Sequence, residues 1–147
     1  MIKIKNGTTE NLDELIELFD QYRQFYKQNS DKKQAKSFLS ERLNNQDSMI
    51  YIAYLNDKPV GFTQLFPSFS SVSMEKMWIL NDLYIAPSAR KKGIADELMK
   101  TAINFSKETN SKGLRLETSS DNYPAQQLYE KIGFKRETEY FYFYSTK

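Results

Sequence analysis

Apolar residues recur along the chain with two spacings, one typical of helices and one typical of strands. Where Leu, Ile, Phe, Tyr and Ala return every three or four positions, the pattern predicts amphipathic helices. Where apolar residues alternate with polar ones or form short β-branched and aromatic runs, it predicts strands. In chain order the predicted elements are a strand at 2–5, a helix from 12 to 26, a helix at 31–44, strands at 49–55, 60–66 and 77–86, a helix from 94 to 105, a strand at 113–118, a helix at 124–131 and a strand at 134–146.

Turn and cap signals mark where these elements end. The sequence NDKP predicts a hairpin turn between the second and third strands, and polar SFSSVS at 68–73 predicts a loop. Gly93 opens the third helix and Gly133 ends the fourth. The fourth strand, the third helix and the fifth strand form a crossover unit whose strands should be parallel, whereas the hairpin is antiparallel. The fold class is therefore α/β (α+β) with a mixed sheet, in a single domain over residues 1–147.

Composition narrows the chemistry that this domain can perform. The chain of 147 residues has a net charge of +2, too small to indicate a nucleic-acid partner. It contains no cysteine and no histidine, which excludes thiolate nucleophiles, zinc–cysteine sites and histidine-based triads. We expect no metal, and an acid or base drawn from Asp, Glu, Tyr, Lys, the N-terminal amine or water. Without a signal peptide or a long apolar run, a cytoplasmic protein with no membrane partner is expected.

The sequence ARKKGIADEL places three cations before the glycine that opens the third helix. A helix N-terminus is already partly positive, so added cations there suggest a bound anion. Gly93 allows a phosphate to approach the backbone, and Arg90, Lys91 and Lys92 supply enough charge for a pyrophosphate. The chain has neither the P-loop nor the dinucleotide G-x-G-x-x-G motif. A solvated cationic turn remains the alternative interpretation of this stretch.

Two motifs in this chain resemble those of the GNAT superfamily of acetyl-CoA-dependent N-acetyltransferases. RKKGIA resembles the R/Q-x-x-G-x-G/A pyrophosphate loop and directly follows the fourth predicted strand. DNYPAQQLYEKIGF resembles the family's N-x-x-A-x-x-x-Y-x-x-x-G-F segment at Asn122, Ala125, Tyr129, Gly133 and Phe134. The resemblance implies acetyl-CoA as co-substrate. It also implies a GNAT-like fold with a mixed sheet of six or seven strands, about four helices, and fourth and fifth strands splayed around the cofactor.

The resemblance also assigns site residues. Tyr129 would be the general acid that protonates the departing thiolate, although a core tyrosine on an amphipathic helix is the alternative. A bulge is expected near 81–83, where a backbone N–H would polarise the thioester carbonyl. Asn122 would both cap its helix and bond the cofactor. The implied cofactor-binding residues are Leu83, Tyr84, Ile85, Arg90, Lys91, Lys92, Gly93, Ile94, Ala95, Asn122 and Tyr129.

Asp82 is the second implied catalytic residue, attracting a cationic amine and taking its proton directly or through water. It matches an acidic position in family members that acetylate diamines and polyamines. Those members often carry Glu immediately before this position, whereas this chain has Asn81 there. Glu75 and Glu117 are further candidates for the base. Phe66, Phe69, Met77 and Trp78 are expected as apolar walls of the acceptor pocket. In the ideal strand pattern Trp78 lies on the same face as Asp82, unless the bulge changes that register.

These observations predict an N-acetyltransferase that transfers an acetyl group from acetyl-CoA to a primary amine of a small molecule or peptide. Two alternatives remain: a non-catalytic acetyl-CoA-binding or sensing module, and a partner-binding domain whose basic turn meets an acidic protein surface. The final strand contains EYFYFY at 139–144, whose alternation would leave one aromatic row exposed on a monomer. We therefore expect a homodimer that buries this row.

Overall fold

A computed structural model describes all 147 residues and divides them into two compact units, Met1–Glu117 and Thr118–Lys147. The first unit contains a five-stranded sheet and three helices, and the second contains one helix. None of these helices is long and apolar enough to cross a membrane. In chain order the elements are β1 (Ile2–Asn6), α1 (Leu12–Phe25), α2 (Lys32–Asn45), β2 (Met49–Leu55), β3 (Lys58–Ser70), β4 (Glu75–Ile85), α3 (Ile94–Glu108), β5 (Leu114–Arg115) and α4 (Tyr123–Ile132).

The sheet follows the chain, with strand order β1-β2-β3-β4-β5. The first four strands pair antiparallel, and β4 pairs with β5 in parallel through Trp78–Leu114 and Ile79–Arg115. A parallel pair needs a crossover connection, which α3 provides. The predicted mixed sheet with a hairpin followed by a parallel crossover is therefore confirmed.

Helices cover both faces of the sheet within the first unit. On one face, α1 and α2 form the main hydrophobic core with Ile52 of β2, Phe62 of β3 and Tyr84 of β4. On the other face, Phe105 of α3 packs against the rings of Tyr51 and Trp78. Burial on both faces explains why the central strands are nearly continuous apolar runs.

Polar contacts secure the ends of the helices. The Thr8 side chain forms a capping box with Asn11 before α1, and Asp31 caps α2 by accepting a hydrogen bond from Gln34 N–H.

The hydroxyl of Tyr54 donates to Glu14 Oε1 at 2.6 Å, which ties β2 to α1. Burial, together with this hydrogen bond and the carboxylate charge, raises the pKa of Tyr54 to about 12.

Three element predictions are wrong. The expected strand at 134–146 does not form, so the sheet has five strands rather than six or seven. Aromatic alternation gives a segment strand propensity, but a strand also requires a backbone partner, and residues 135–147 make no backbone hydrogen bond to another strand. The strand expected at 113–118 is reduced to Leu114–Arg115. The expected polar loop at 68–73 is partly strand, because cross-strand pairing extends β3 to Ser70.

Candidate active site

β4 contains one extra residue, Asn81, opposite β3. Leu80 pairs with Leu65 and Asp82 pairs with Gln64, so two steps along β4 face one step along β3. Such an insertion is a β-bulge, which bends the strand and interrupts the regular ladder. The bulge lies in the segment where the two polar residues break the apolar run, as predicted.

The bulge changes the face of the sheet that receives the β4 side chains. Before it, Trp78 packs on Phe105 of α3 with ring centroids 4.8 Å apart. After it, Tyr84 packs on Tyr22 of α1 with ring centroids 6.0 Å apart. Asp82 lies two residues before Tyr84 and therefore shares the face covered by α1 and α2. Trp78 and Asp82 share a face only in the ideal strand pattern, and the expected bulge changes that register, so in the structure they lie on opposite faces.

Asp82 is a buried carboxylate, only 6% exposed, held by neutral donors. Gln64 Nε2 donates to Asp82 Oδ2 at 2.8 Å, and Asn81 Nδ2 donates to Oδ1 at 3.2 Å. The Thr63 hydroxyl donates to the backbone carbonyl of Asp82 at 2.7 Å and ties the bulge to β3. None of the ion pairs in the structure includes Asp82. Amide donors orient an ionised carboxylate without cancelling its charge.

The backbone edge of β4 is open beyond Ile79, where its pairing with β5 stops. The Ala86 N–H donates to the Val60 carbonyl at 2.7 Å. Because alternate residues of an antiparallel strand face the partner, the backbone groups of Leu83 and Ile85 face away from β3. An extended ligand laid along this edge can bond to them. The separation of the fourth and fifth strands agrees with the predicted splay.

Tyr84 lies between these two residues and turns its side chain into the core. Its hydroxyl lies 3.5 Å from Gln21 Oε1 of α1. Burial raises the pKa of Tyr84, and the charge of Arg90 offsets this only in part. By the same alternation, the backbone groups of Tyr84 face β3. The donors and acceptors on the open side therefore come from Leu83 and Ile85.

The N-terminus of α3 presents backbone donors that have no helical partner. Its N-cap, Gly93, has φ +82°, and no side chain caps the first turn. The Glu97 N–H donates to the Gly93 carbonyl at 3.1 Å, which leaves the N–H groups of Ile94, Ala95 and Asp96 without an intrahelical acceptor. A Cβ on Gly93 would meet no atom within 4 Å, so the approach to these donors is open. This cradle fits a phosphate group.

Three exposed cations extend the cradle on its N-terminal side: Arg90, Lys91 and Lys92. None of them takes part in an ion pair. The Arg90 guanidinium lies 5.3 Å from the ring centroid of Phe25, and its Nε donates to the Ile85 carbonyl at 3.1 Å.

The second unit holds the other two predicted site residues on α4. Asn122 Oδ1 accepts a hydrogen bond from Ala125 N–H at 3.3 Å, so the predicted cap is confirmed. Gly133 ends the helix with φ +122°, as predicted, and donates its N–H to the Tyr129 carbonyl at 3.1 Å. The Tyr129 ring lies 6.1 Å from that of Phe134. Asn122 and Tyr129 are separated by about two turns and lie on the same side of α4.

Other predicted site residues lie elsewhere. Glu75 begins β4, and its Cα lies about 23 Å from that of Asp82 at the usual rise of a strand. Glu117 follows β5 and is exposed. Phe69 is 76% exposed near the tip of the β3–β4 hairpin, whereas Trp78 is covered by α3. The expected apolar walls are therefore spread along the hairpin, because it extends beyond the end of β2.

An open groove of about 690 Å³ lies along α1, and neither Asp82 nor the residues of the α3 cradle line it. Its walls come from the first half of α1, the start of β3 and the segment 86–88. Two of its carboxylates already have partners, since Glu17 pairs with Lys32 at 2.8 Å and Glu14 accepts from Tyr54. We assign no ligand to this groove.

Thr63 and Gln64 are site residues that the sequence analysis missed. Both are buried in β3, opposite the bulge, and both bond to Asp82. Their signal was a polar pair inside an otherwise apolar strand, like the Asn81–Asp82 pair in β4. A pair of polar breaks in adjacent buried strands indicates a cross-strand hydrogen-bond network.

A model of the acetyltransferase (GNAT) family matches residues 12–134. The chain belongs to this family. It is 41% identical over 142 residues to the uncharacterized N-acetyltransferase YhfO of Bacillus subtilis (strain 168), covering 97% of this chain and 95% of that protein. A "probable acetyltransferase" of Haemophilus influenzae is 32% identical over 135 residues, and the match covers 91% of this chain and 90% of that protein. A solved structure of a probable acetyltransferase superposes with a TM-score of 0.92 at 41% identity, covering 99% of this chain and 97% of the other.

Membership of the GNAT family gives the open edge and the cradle a common interpretation. The protein is an enzyme of the acyltransferase class, and the family implies acetyl-CoA as co-substrate and an amine as acceptor. A free strand edge suits the amide-containing arm of coenzyme A, and the donor-rich start of α3 suits its pyrophosphate. The residues present therefore fit this co-substrate.

Proposed function

We propose that this acetyltransferase moves an acetyl group from acetyl-CoA to a primary amine of a small polyamine, another small amine or a lysine side chain. The observation that supports an amine acceptor is the buried Asp82 carboxylate at the bulge, whose side-chain donors are both neutral amides. An ammonium group supplies the missing positive charge, whereas an alcohol or a neutral acid does not.

Acetyl-CoA binding is proposed to depend more on backbone groups than on any one cation. Leu83 and Ile85 bond the pantetheine amides, while Gly93, Ile94 and Ala95 offer their N–H groups to the pyrophosphate. Arg90, Lys91 and Lys92 add charge around the pyrophosphate. Asn122 and Tyr129 are assigned to the cofactor site by the family resemblance. Tyr84 offers it no group, because its side chain enters the core and its backbone groups face β3.

The transfer is proposed to be direct. Asp82, alone or through water, takes a proton from the bound ammonium and leaves a neutral amine. The amine nitrogen attacks the thioester carbonyl, whose oxygen is polarised by a backbone N–H near the bulge. The C–N bond forms, the C–S bond breaks, and Tyr129 protonates the departing sulfur. The nitrogen then releases a second proton, which returns the Tyr129 phenolate to the neutral phenol. Holding the two reactants in line lowers the barrier by ~7–11 kcal/mol, which explains how the reaction proceeds without a covalent enzyme intermediate.

Three wider predictions of the sequence remain proposals. The family match draws on residues of both units, which supports one acetyltransferase domain over residues 1–147. A homodimer is proposed because five consecutive aromatic residues of the tail are exposed. The cytoplasmic location stays a prediction from the sequence.

Thiol release with a panel of acceptors tests the proposed reaction. We expect activity with spermidine, cadaverine or Nα-blocked lysine, and none with pentane-1,5-diol, which matches cadaverine in length but has hydroxyls in place of its amines. Acetyl-CoA alone should raise the Tm, since it binds only the native state. Thiol release with the diol but with no amine would contradict the proposal.

The variant Asp82→Asn tests the residue that supports the proposal. We expect amine kcat/KM to fall by about 10²-fold, the usual contribution of a positioned base, with the acetyl-CoA Kd unchanged within about twofold. Asp20→Asn is the matched control, because Asp20 is also a buried, hydrogen-bonded aspartate but lies in α1. An Asp82→Asn enzyme with unchanged amine kinetics and pH profile would remove Asp82 from the mechanism.

A further inference from the structure

A chain of polar side chains crosses the sheet from the start of β2 to the bulge, and we call it the polar row: Ser48, Gln64, Asp82 and Asn81. The Ser48 hydroxyl donates to Gln64 Oε1 at 2.9 Å, and Gln64 Nε2 donates to Asp82 Oδ2 at 2.8 Å. Asn81 donates to the other carboxylate oxygen at 3.2 Å. The row begins at a half-buried serine and ends at the residue proposed to receive the amine.

Gln64 occupies an apolar setting that makes its hydrogen bonds obligatory. It is only 1% exposed, and it shares its face of the sheet with Phe62 on its own strand and with Ile50, its partner on β2. A buried amide left without partners is strongly unfavourable. Both ends of this amide are bonded, one to Ser48 and one to Asp82.

The Asp82 carboxylate sets the direction of the Gln64 amide, because it can only accept hydrogen bonds. The NH₂ end of the amide is therefore turned toward Asp82, and the Ser48 hydroxyl donates to the oxygen end. An amide in the opposite orientation would point its oxygen at the carboxylate, with two acceptors facing each other. The serine therefore satisfies the oxygen end of the amide in the one orientation in which Gln64 holds the carboxylate.

The polar row leaves Asp82 able to act on a ligand. Gln64 and Asn81 each occupy one lone-pair direction on separate oxygens, and a carboxylate oxygen accepts more than one hydrogen bond. A lysine or arginine at position 64 would orient the carboxylate equally well but would neutralise its charge. A neutral amide gives orientation and leaves the charge for the incoming ammonium.

We infer that Gln64 is a positioning residue of the acetyl transfer, holding the Asp82 carboxylate toward the amine, and that Ser48 anchors the oxygen end of the Gln64 amide. The inference rests on the proposed function, because it requires Asp82 to act on the amine. Gln64 itself touches neither substrate. Its effect on catalysis therefore passes entirely through Asp82.

A double-mutant cycle separates this role from a merely structural one. Gln64→Met keeps the volume and removes both hydrogen bonds, and we expect amine kcat/KM to fall about tenfold with the acetyl-CoA Kd unchanged within about twofold. In the Asp82→Asn background the same substitution should have no further effect on amine kcat/KM. An equal loss in both backgrounds, or no loss in the wild-type background, would overturn the inference.

Two further variants keep the test decisive. Ser48→Ala removes only the outer hydrogen bond at a half-buried position, so it should fold even if Gln64→Met does not, and we expect a loss of about threefold that disappears with Asp82→Asn. Gln24→Met is the matched control, since Gln24 Nε2 donates to Asp20 Oδ2 at 3.1 Å in α1, and its amine kcat/KM should not change. If Asp82→Asn alone leaves amine kinetics unchanged, the proposed function fails. If Asp82→Asn impairs the enzyme but Ser48→Ala and Gln64→Met do not, only the positioning role fails.

Discussion

Gly93 has backbone angles that residues with a side chain rarely adopt, at the point where α3 begins. A left-handed conformation costs a residue with a Cβ about 1–2 kcal/mol, so glycine is favoured there. The space over Gly93 is also open, so an added methyl group contacts no protein atom. Such a group would instead occupy open space next to the unpaired N–H groups that follow Gly93. The two effects act together against any other residue at this position.

Gly93→Ala is expected to weaken acetyl-CoA binding about tenfold or more, and Gly93→Val further, because the side chain stands where the phosphates approach. Isothermal titration measures the Kd. Gly113→Ala is a control, since Gly113 also has open space around its Cβ but no positive φ. Gly133→Ala controls for backbone strain, because Gly133 has φ +122°. A folded Gly93→Val protein with normal acetyl-CoA affinity would contradict the assignment of the cradle.

Tyr129→Phe is expected to lower turnover by about 10²-fold with little change in acetyl-CoA Kd, as for a group that acts in the transition state. Phenylalanine keeps the ring contact with Phe134, so the fold of α4 should be retained. Tyr123→Phe, an exposed tyrosine of the same helix, is the control. Full activity of Tyr129→Phe would assign Tyr129 to packing and leave water as the acid.

At the scale of the element, a single inserted residue determines what the end of β4 can do. If Asn81 were paired in a regular ladder, Asp82 would continue the alternation of Trp78 and Leu80 and face α3. The sequence shows the polar break, but it does not show which residue is the extra one, because that depends on the register with β3. For the same reason the sequence analysis missed Gln64, because its partner Asp82 is distant in sequence. The α3 loop was predictable because its glycine, cations and helix start are all local.

Asp20 joins α1 to the start of α2, and its titration gives a stability prediction. It is 1% exposed and accepts hydrogen bonds from the Ser30 hydroxyl at 2.6 Å and the Asp31 N–H at 2.8 Å. Burial alone raises the pKa of Asp20, but these hydrogen bonds and nearby positive charges together outweigh it. Lys32 and Arg23 add to the lowering, so the folded pKa lies below that of the unfolded chain.

A lowered folded pKa contributes stability that is present above the unfolded pKa and lost as pH falls through the folded value. Asp20→Asn should therefore unfold more easily at pH 7, by about 1–3 kcal/mol, because an amide nitrogen faces the Asp31 N–H. The difference from wild type should shrink as the pH falls below about 4. Urea unfolding at both pH values measures this. A constant difference would show that Asp20 contributes nothing through its charge.

At the scale of the whole molecule, the order of helices and strands was predictable up to the fourth helix because it follows from local periodicity. The C-terminal segment was not. Its alternation predicts a strand, but strand formation depends on an available partner edge, which no local pattern encodes. The five residues Tyr140–Tyr144 are instead 71–88% exposed. So large an aromatic surface is unusual on a monomer and is typical of an interaction site.

The full-length protein is expected to sediment as a homodimer at micromolar concentration, with the tail aromatics buried between two copies. In an extended chain Phe141 and Phe143 share one side, and this apolar row is the one that a second copy would cover. The double substitution Phe141→Ser and Phe143→Ser should therefore yield a monomer. Phe69→Ser is the control, because it removes an equally exposed phenylalanine from the β3–β4 hairpin and should leave the dimer intact. A monomer with the tail unchanged would contradict the prediction, whereas a dimer that persists in the double variant would assign the interface to another surface.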